Sequence, residues 1–460
     1  MSTYAFKIVS IIFIVLISIG FIISCNEDRN EQADVKERPL PPEWAVNANI
    51  YEVNIRQYSP DGTFNAFTAD IPRLEEMGVK ILWLMPIHPI GRENRKGTLG
   101  SYYSVYDYTE VNPEFGTKED FQKLVDTAHE HGMRVLIDWV ANHTSWDAVW
   151  TQTNPEFYDT DDDGNFRTPV EDWEDVIQLD VENRDMWEAM IQAMEYWVSD
   201  YDIDGFRADV AYMLPTRFWI TARERLEEIK PVFMLAEAEV PELHQAFDMS
   251  YTWNLAETMR AVGDGSATLA DLDTALEREF YQFHKRDYRM VFTTNHDENS
   301  WKGSDQDLYG NNFENFAVFA ATVWGMPLIY NGQEAGLDKQ LEFFEKDEID
   351  WNGYRYSDFY KTLLDLNTWN QALFNGEIGG AYIKLKTDND ENIFTYQRRG
   401  HHEQVMVILN FSNESQTFSF IDGEQGDWTN VFEDTLLEIP QINTLQANSY
   451  LLLERVHMNH

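Results

Sequence analysis

MRVLIDWVANH (residues 133–143) is an apolar, β-branched run that ends in polar residues, the pattern of a buried strand in a parallel sheet. Similar runs predict further strands on both sides: IYEVNIRQY (50–58), VKILWLMP (79–86), IDGFRADV (203–210), VFMLAEA (232–238), a segment near 247–251, YRMVFTTN (288–295) and MPLIYNG (326–332). Amphipathic stretches between them predict helices near 64–77, 118–131, 184–200 and 216–229. This repetition indicates parallel pairing through right-handed crossovers, and eight strand positions predict a closed (β/α)8 barrel of the α/β class.

The predicted barrel has two additions. An insertion at 144–183, rich in Asp, Trp and Pro, follows the third strand. Beyond about residue 375 the pattern is all-β, with runs AYIKLKT (381–387), NIFTYQRR (392–399), QVMVILNFS (404–412), QTFSFI (416–421) and NSYLLLER (448–455). These runs predict a C-terminal antiparallel β-sandwich at 376–460, which leaves 43–375 for the barrel with its insertion.

The composition excludes several classes of partner. The 460 residues include 80 Asp and Glu against 35 Lys and Arg, a formal net charge of −45. Such a chain repels nucleic acids and anionic lipid surfaces, which proteins bind through Lys and Arg. Hydrophobic residues make up 43% of the chain, which is typical of a folded globular protein rather than an acidic disordered segment. We therefore expect no nucleic-acid partner. We also expect no organic cofactor, because no glycine-rich phosphate-binding fingerprint follows the first strand.

Cys25 is the single cysteine of the sequence, which excludes an intramolecular disulfide and a thiolate metal cluster. It follows Lys7 and the apolar run IVSIIFIVLISIGFII (8–23), the layout of a secretory signal whose apolar segment is short for a membrane span. The segment IISC (22–25) resembles a bacterial lipobox, in which the cysteine is acylated and becomes the mature N-terminus. The acidic residues after it resemble the surface-export signal of Bacteroidetes lipoproteins.

The N-terminal prediction is therefore a lipoprotein signal peptide at 1–24, lipidation of Cys25, and a polar tether at 25–42 that ends in Pro-Leu-Pro-Pro. It implies a secreted protein that is attached to the bacterial outer membrane only through its lipid anchor. The alternative is an uncleaved anchor helix with an incidental cysteine. The membrane face that carries the anchor and the oligomeric state stay open.

Polar side chains end five of the predicted strands, which is where a (β/α)8 barrel carries its chemistry. They are DWVANH (138–143), Arg207 with Asp209, Glu237, NHD (295–297) and Gln333 with Glu334. Three carboxylates, Asp209, Glu237 and Asp297, come from different strands and are expected to converge on one cleft. Each alone could be a salt bridge or a loop cap, but five strand ends together indicate a catalytic site.

Asp209 and Glu237 suit glycoside hydrolysis, in which one carboxyl group protonates the leaving oxygen and another stabilises or attacks the anomeric carbon. Arg207 lies two residues before Asp209, on the same strand face, and its guanidinium is expected to keep Asp209 ionised and nucleophilic. Glu237 follows an apolar run, and partial desolvation there would suit it to carry a proton. His143 and His296 are either donors to sugar hydroxyls or structural histidines.

These motifs together resemble the α-amylase family, glycoside hydrolase family 13. The matching segments are DWVANH (138–143), GFRAD (205–209), AE (236–237) and NHD (295–297), with YSVYDY (103–108), FGT (115–117) and GMPLIYNGQE (325–334) in support. The resemblance covers the chain from about residue 50 to the C-terminus. It implies that Asp209 is the nucleophile, Glu237 the general acid/base and Asp297 the transition-state stabiliser.

The resemblance also assigns sugar-binding residues. It implies that Tyr103 stacks on the sugar at the cleavage subsite, and that His143, Arg207 and His296 line that subsite. Retention of the anomeric configuration follows if the carboxyl groups of Asp209 and Glu237 lie about 5 Å apart.

Calcium is the one cofactor that the sequence suggests, at two places. Family members often bind Ca²⁺ between the barrel and the insertion, through an asparagine at the position of Asn142 and an aspartate where this sequence has Gln178, so the substitution puts that site in question. The run DTDDDG (159–164) has the aspartate spacing of a calcium loop, and the alternative is a solvated acidic turn. Its alternating aspartates are Asp159, Asp161 and Asp163.

The sequence therefore predicts a retaining hydrolase that cleaves α-glucosidic bonds, foremost α-1,4, in starch-derived polysaccharides or maltooligosaccharides. An α-1,6-glucosidase or a transglycosylase of the same family is the nearest alternative, because Asp209 is followed by Val210-Ala211-Tyr212 where many α-amylases carry a Lys-His pair. From another class, the alternative is a surface glycan-binding protein with an inactive barrel, and the intact set of three carboxylates argues against it.

Overall fold

The computed structural model describes residues 39–421 and 426–456. The predicted signal peptide at 1–24, Cys25 and all but the end of the predicted tether lie outside these ranges, so lipidation stays a prediction. In the described part of the chain, no helix is both long and apolar enough to cross a bilayer.

Eight parallel strands form a closed barrel, and a separate hairpin lies in the insertion. The strands of this region are β1 (Ile50–Val53), β2 (Ile81–Leu84), β3 (Arg134–Trp139), β4 (His143–Ser145), β5 (Val176–Gln178), β6 (Gly205–Ala208), β7 (Phe233–Ala236), β8 (Met249–Tyr251), β9 (Tyr288–Val291) and β10 (Met326–Tyr330). The order around the barrel is β1-β2-β3-β6-β7-β8-β9-β10, whereas β4 and β5 pair as the hairpin. The predicted (β/α)8 barrel is confirmed, and so is the strand expected near 247–251.

Helices of the barrel and its loops cover the outside of the sheet. They are α1 (Ile55–Tyr58), α2 (Phe64–Thr68), α3 (Ile71–Met77), α4 (Lys118–Glu130), α5 (Val149–Thr153), α6 (Arg184–Tyr201), α7 (Thr216–Glu227), α8 (Trp253–Gly263), α9 (Leu269–Gln282), α10 (His296–Lys302), α11 (Asp305–Tyr309), α12 (Phe313–Thr322) and α13 (Ser357–Trp369).

Two boundaries differ from the prediction. The strand expected at 50–58 ends at Val53, because the Asn54 side chain accepts the N–H of Gln57 and caps α1. The helix expected near 64–77 is two helices, and the second begins beside Pro72, which has no N–H to offer a preceding turn.

The C-terminal part is antiparallel, as predicted. Its strands are β11 (Ala381–Lys384), β12 (Ile393–Arg399), β13 (Glu403–Asn410), β14 (Gln416–Ser419), β15 (Gly426–Asn430), β16 (Thr435–Ile439), β17 (Ile442–Leu445) and β18 (Ser449–Val456). A six-stranded sheet, β11-β12-β13-β18-β15-β16, and the pair β14-β17 share a core that includes Met406, Phe418 and Trp428. The sequence pattern missed β15, β16 and β17. In β16 and β17 the apolar side chains of Leu436 and Ile442 point to solvent, which breaks the inward alternation.

The barrel interior is a packed core rather than a channel. Trp83, Leu136 and Met290 belong to one buried cluster inside it. Polar side chains replace apolar ones toward the carboxyl ends of the strands. There Asp138 on β3 is the register partner of Arg207 on β6, and both are fully buried. The fold thus brings charged groups from neighbouring strands into contact at one end of the barrel.

Candidate active site

Arg207 is the centre of a buried ionic cluster at the carboxyl ends of β3, β6 and β7. Its Nη1 lies 2.9 Å from Asp138 Oδ1 and 2.8 Å from Asp209 Oδ1. Its Nη2 lies 3.0 Å from Glu237 Oε2, and its Nε donates to the Tyr251 hydroxyl at 3.1 Å. One guanidinium therefore neutralises three carboxylates in part and holds Asp209 and Glu237 side by side.

The carboxyl group of Asp209 is harder to ionise than the sequence predicts. Burial raises its pKa well above the usual value, Glu237 raises the pKa further, and Arg207 opposes both effects without reversing them. Arg207 lowers the pKa of Asp209, as the sequence predicts, but burial outweighs it, and the guanidinium is shared with Asp138 and Glu237. That Asp209 is ionised when it attacks stays a prediction.

The turn after β6 directs a backbone N–H at Glu237. Val210 N donates to Glu237 Oε2 at 2.8 Å. Val210 adopts φ 37° and ψ 46°, a left-handed conformation that costs a β-branched residue free energy. This strained turn and Arg207 together fix Oε2, while the Glu237 side chain lines the cleft.

His296 is held in a second cluster that faces the first. Its Nδ1 lies 2.5 Å from Glu52 Oε1, and its Nε2 lies 2.7 Å from the Tyr103 hydroxyl. Nε2 is also 3.5 Å from Asp297 Oδ2. Burial lowers the pKa of His296, but Asp297 and Glu52 outweigh burial and raise it to about 9. His296 is therefore an imidazolium at neutral pH, which donates Nδ1–H to Glu52 and Nε2–H to the Tyr103 hydroxyl.

Tyr103 joins the two clusters. Its hydroxyl donates to Asp138 Oδ2 at 3.0 Å, and its ring stacks on His296 with centroids 5.5 Å apart and planes 22° apart. The half-buried ring offers its remaining surface to the cleft. This is the geometry of an aromatic platform held by hydrogen bonds at its edge.

His143 is buried at the end of β3, next to the insertion. Burial lowers its pKa to about 3, so its ring is neutral, and the ring centroid lies 5.4 Å from that of Trp173. Both side chains line the cleft. Of the two interpretations of His143, the structure favours the one that places it beside a ligand.

A cleft of about 490 Å³, within the usual range for a ligand site, lies above these groups. Its lining includes Tyr103, His143, Asp209, Glu237, His296 and Asp297. The three carboxylates that the sequence expected to converge do line one cleft, and Arg207 contacts two of them from below.

Sequence reasoning missed several residues of the site. Glu52, which binds His296, had a usable signal, because it is a single acid inside the apolar strand β1. Lys96, Trp301 and Phe343 also line the cleft, but Lys96 and Phe343 belong to loops without a motif, and Trp301 lies in α10 four residues beyond the NHD motif. Only tertiary contacts bring these segments to the barrel end.

The predicted calcium position at Asn142 is filled by a side-chain amide. Gln178 Nε2 donates to Asn142 Oδ1 at 3.0 Å, to the Asn142 carbonyl at 3.1 Å and to the Leu179 carbonyl at 2.9 Å. The oxygens that would face a cation therefore accept N–H groups of one neutral residue. These donors do not fit Ca²⁺, which favours carboxylates.

Aspartates of the segment 159–164 accept hydrogen bonds or form ion pairs within their own hairpin. Asp161 Oδ1 accepts the backbone N–H groups of Asp163 and Asn165, each at 2.9 Å, and Asp159 Oδ2 lies 3.8 Å from Arg167 Nη1. In residues 39–421 and 426–456 no group of three or more His, Cys, Asp or Glu side chains is arranged to hold a metal ion. The hydrogen bonds within this hairpin are those of an acidic turn, and calcium binding at 159–164 stays a prediction.

Comparison with known proteins agrees with this fold. A family model described as the catalytic domain of α-amylase matches residues 45–173 and 170–392. The solved structure of the maltogenic α-amylase AmyB from Thermotoga neapolitana is 31% identical, with a TM-score of 0.82 over 90% of this chain and 99% of that chain. That of an α-amylase from Lactobacillus plantarum is 30% identical, with a TM-score of 0.81 over 90% of this chain and 100% of that chain.

Among curated proteins, α-amylase MalA of Haloarcula japonica is 25% identical over 403 residues. The match covers 84% of this chain but only 58% of that relative's length. The family match spans most of the chain and includes every strand of the barrel. The chain belongs to the α-amylase catalytic-domain family of glycoside hydrolases.

Proposed function

We propose that this protein is a retaining hydrolase of α-glucosidic bonds, foremost α-1,4, in starch-derived polysaccharides or maltooligosaccharides. The observation that carries the proposal is the pairing of Asp209 and Glu237 on one guanidinium beneath a cleft of ligand size. Double displacement needs two carboxyl groups about 5 Å apart, whereas inversion needs room for a water molecule between them. The names of the relatives, α-amylase and maltogenic α-amylase, support an α-glucan substrate.

In the first step Asp209 attacks the anomeric carbon, and Glu237 gives its proton to the glycosidic oxygen as the bond to the leaving sugar breaks. The product is a covalent glycosyl ester on Asp209. In the second step Glu237 takes a proton from water, the water oxygen bonds to the anomeric carbon, and Asp209 leaves as a carboxylate. The contact of both acids with Arg207 supports this division of roles, because it keeps the proton donor and the nucleophile beside one bond.

The remaining cleft residues act on the sugar at the cleavage point. Asp297, which is partly exposed, would face the positive charge that develops on that sugar, and His296, held by Glu52 and Tyr103, would line the same subsite. Tyr103 would cover the apolar face of the ring. His143, which is neutral, would supply a further hydrogen bond.

A second candidate function is α-1,6-glucosidase or transglycosylase activity, and Tyr212 favours it. Tyr212 lies in the turn Ala211–Met213, which follows Asp209 directly after β6. The residue is 55% exposed, so its ring could stack on an incoming sugar. An acceptor bound there would compete with water for the glycosyl ester.

Product analysis on amylose, maltooligosaccharides, pullulan, panose and maltose tests the proposal. We expect amylose and maltooligosaccharides to be hydrolysed, with the α-anomer as the first product seen by NMR. Cleavage confined to pullulan and panose would establish the α-1,6 alternative, and products longer than the substrate would establish transglycosylation. Binding of glucans without any product would support the inactive glycan-binding protein.

We also propose that the fold does not depend on calcium at Asn142, because Gln178 occupies the position of the ion. EDTA is therefore expected to leave the melting temperature unchanged. The isosteric Gln178→Glu replaces three donated hydrogen bonds by repulsion between oxygens, and we expect it to lower the free energy of unfolding by about 1–3 kcal/mol. Added Ca²⁺ should restore part of that loss, because the variant offers the oxygen set that calcium prefers.

The matched control is Gln192→Glu, which adds the same charge on the exposed face of α6. Thermal unfolding of the control should not respond to Ca²⁺. A fall in the melting temperature of the unmodified protein on chelation would contradict the proposal.

A further inference from the structure

We propose that the active-site cleft is closed at its non-reducing end by Lys96, so that the enzyme attacks α-glucans from chain ends and releases short products of fixed length. The inference rests on the proposed function, and it adds that the enzyme attacks chain ends rather than internal bonds. Three connected loops carry it, those that follow β2, β3 and β10.

Lys96 connects the loop after β2 to the insertion after β3. Its Nζ donates to the carbonyl oxygen of Asp172 and lies 3.4 Å from Asp175 Oδ1. Asp175 is 5% exposed, and its own carbonyl accepts the Ser104 hydroxyl at 3.0 Å, so the anchor point is itself fixed. Lys96, Asp172 and Asp175 all line the cleft. We call this contact the Lys96 bridge.

The same loop is tied to the loop after β10. Thr98 N donates to Glu345 Oε1 at 2.8 Å, and Leu99 N donates to the Phe344 carbonyl at 3.2 Å. Gly97, which lies between Lys96 and Thr98, has φ +64°, and a Cβ atom there would meet the Phe344 Cβ at 2.5 Å. Only glycine therefore allows the backbone at residue 97 to lie so close to Phe344. The residues next to Lys96 are thus in direct contact with the loop after β10.

An aromatic shelf, formed by Trp301, Phe343 and Phe344, lies between the bridge and the cleavage point. Phe343 lies 5.4 Å from Trp301 and 5.1 Å from Phe344, measured between ring centroids. Its ring is also nearly parallel to that of Tyr103, at 6.3 Å and 10°. Trp301 is 56% exposed and lines the cleft. The shelf thus offers stacking surface for the sugars next to the one on Tyr103, and the surface ends at the bridge.

The barrel order determines which end is closed. Glu237 follows β7 and protonates the leaving oxygen, so the leaving, reducing-end sugars lie on the β7 side. In the order β1-β2-β3-β6-β7-β8-β9-β10, strands β2 and β10 flank β1, which is opposite β7. Lys96, after β2, and Phe343 with Phe344, after β10, are therefore across the cleavage point from Glu237. The non-reducing end of a bound glucan would meet them.

The test uses 4-nitrophenyl maltoheptaoside, with the non-reducing terminal sugar either free or blocked by a 4,6-O-ethylidene group. We expect the protein to hydrolyse the free substrate about 10- to 100-fold faster than the blocked one, the range over which a pocket rejects added bulk. Lys96→Ala should bring the two rates close to each other and lengthen the products released from amylose. Its melting temperature is expected to fall slightly, because the buried Asp175 loses its partner, so both rates are measured well below that temperature.

Lys361→Ala is the matched control, since Lys361 forms an exposed pair with Asp365 on α13. It should keep the discrimination between free and blocked substrates. Equal hydrolysis of both substrates by the unmodified protein would overturn the inference and leave the proposed function intact. Unchanged discrimination in Lys96→Ala would overturn the role of the bridge. Failure to hydrolyse any α-glucan would instead refute the proposed function, and the inference with it.

Discussion

Asp209→Asn is expected to lower kcat for maltooligosaccharide hydrolysis by roughly 10⁴-fold or more, because the covalent step loses its nucleophile. The amide is isosteric and stays within reach of Arg207, so the fold and the affinity for glucans should persist. Glu237→Gln is expected to cost about 10²- to 10⁴-fold, the usual contribution of a general acid. Initial rates and equilibrium binding of maltoheptaose measure both effects.

The leaving group separates the two roles. In a 2,4-dinitrophenyl α-glucoside the leaving group, dinitrophenolate, departs without being protonated. Glu237→Gln should therefore cleave this substrate at a rate much closer to that of the unmodified protein, whereas Asp209→Asn should not. Asp264→Asn, on an exposed turn, is the control for loss of an aspartate and should behave as the unmodified protein. Activity of Asp209→Asn within tenfold of the unmodified level would mean that another group attacks the anomeric carbon.

The barrel and the residues at its strand ends could be predicted from the sequence for a physical reason. A strand buried on both faces is a continuous apolar run, and a charged residue at its end stands out, as Asp209 and Glu237 do. Glu52 could have been found by the same rule. Strands β16 and β17 could not, since Leu436 and Ile442 are exposed and break the alternation, and β15 offers a single apolar residue, Trp428.

Properties that depend on contacts between distant parts of the chain could not be predicted from the sequence. Arg207 is visible two residues before Asp209, but the burial that raises the pKa of Asp209 and the neighbouring acids Glu237 and Asp138, which raise it further, depend on β3 and β7. The bonds of the Lys96 bridge also join separate loops. Gln178 is an intermediate case, because the sequence shows that it stands at a ligand position but not that its amide takes the place of an ion.

Arg207→Met is expected to lower the free energy of unfolding by about 3–5 kcal/mol, because it leaves buried carboxylates without their counter-charge. Arg207 is fully buried and lies within 3.0 Å of Asp138, Asp209 and Glu237, so no water replaces it easily. Urea unfolding monitored by tryptophan fluorescence measures the loss. Catalysis should also fall steeply, since the two catalytic acids lose their common anchor.

The loss should depend on pH in a definite direction. Burial already raises the pKa of Asp138 and of Asp209 in the folded protein, and removal of the guanidinium raises both further. An acid whose pKa is higher in the folded state holds its proton more tightly there. The folded state therefore loses stability as pH rises above about 3.9, the value for an unfolded Asp. The deficit of Arg207→Met should be smallest in acid and largest near neutral pH, and Asp209→Asn in the same chain should recover part of it.

Arg223→Met is the matched control, because Arg223 forms a buried pair with Asp248 away from the cleft. Its stability should fall by a comparable amount, since a buried aspartate again loses its partner, but kcat of the folded enzyme should change little. The loss of stability that follows removal of any buried arginine would thus appear in both variants. A large loss of activity would appear in Arg207→Met alone. Equal activity in the two variants would mean that the cluster around Arg207 stabilises the barrel without organising its catalytic acids.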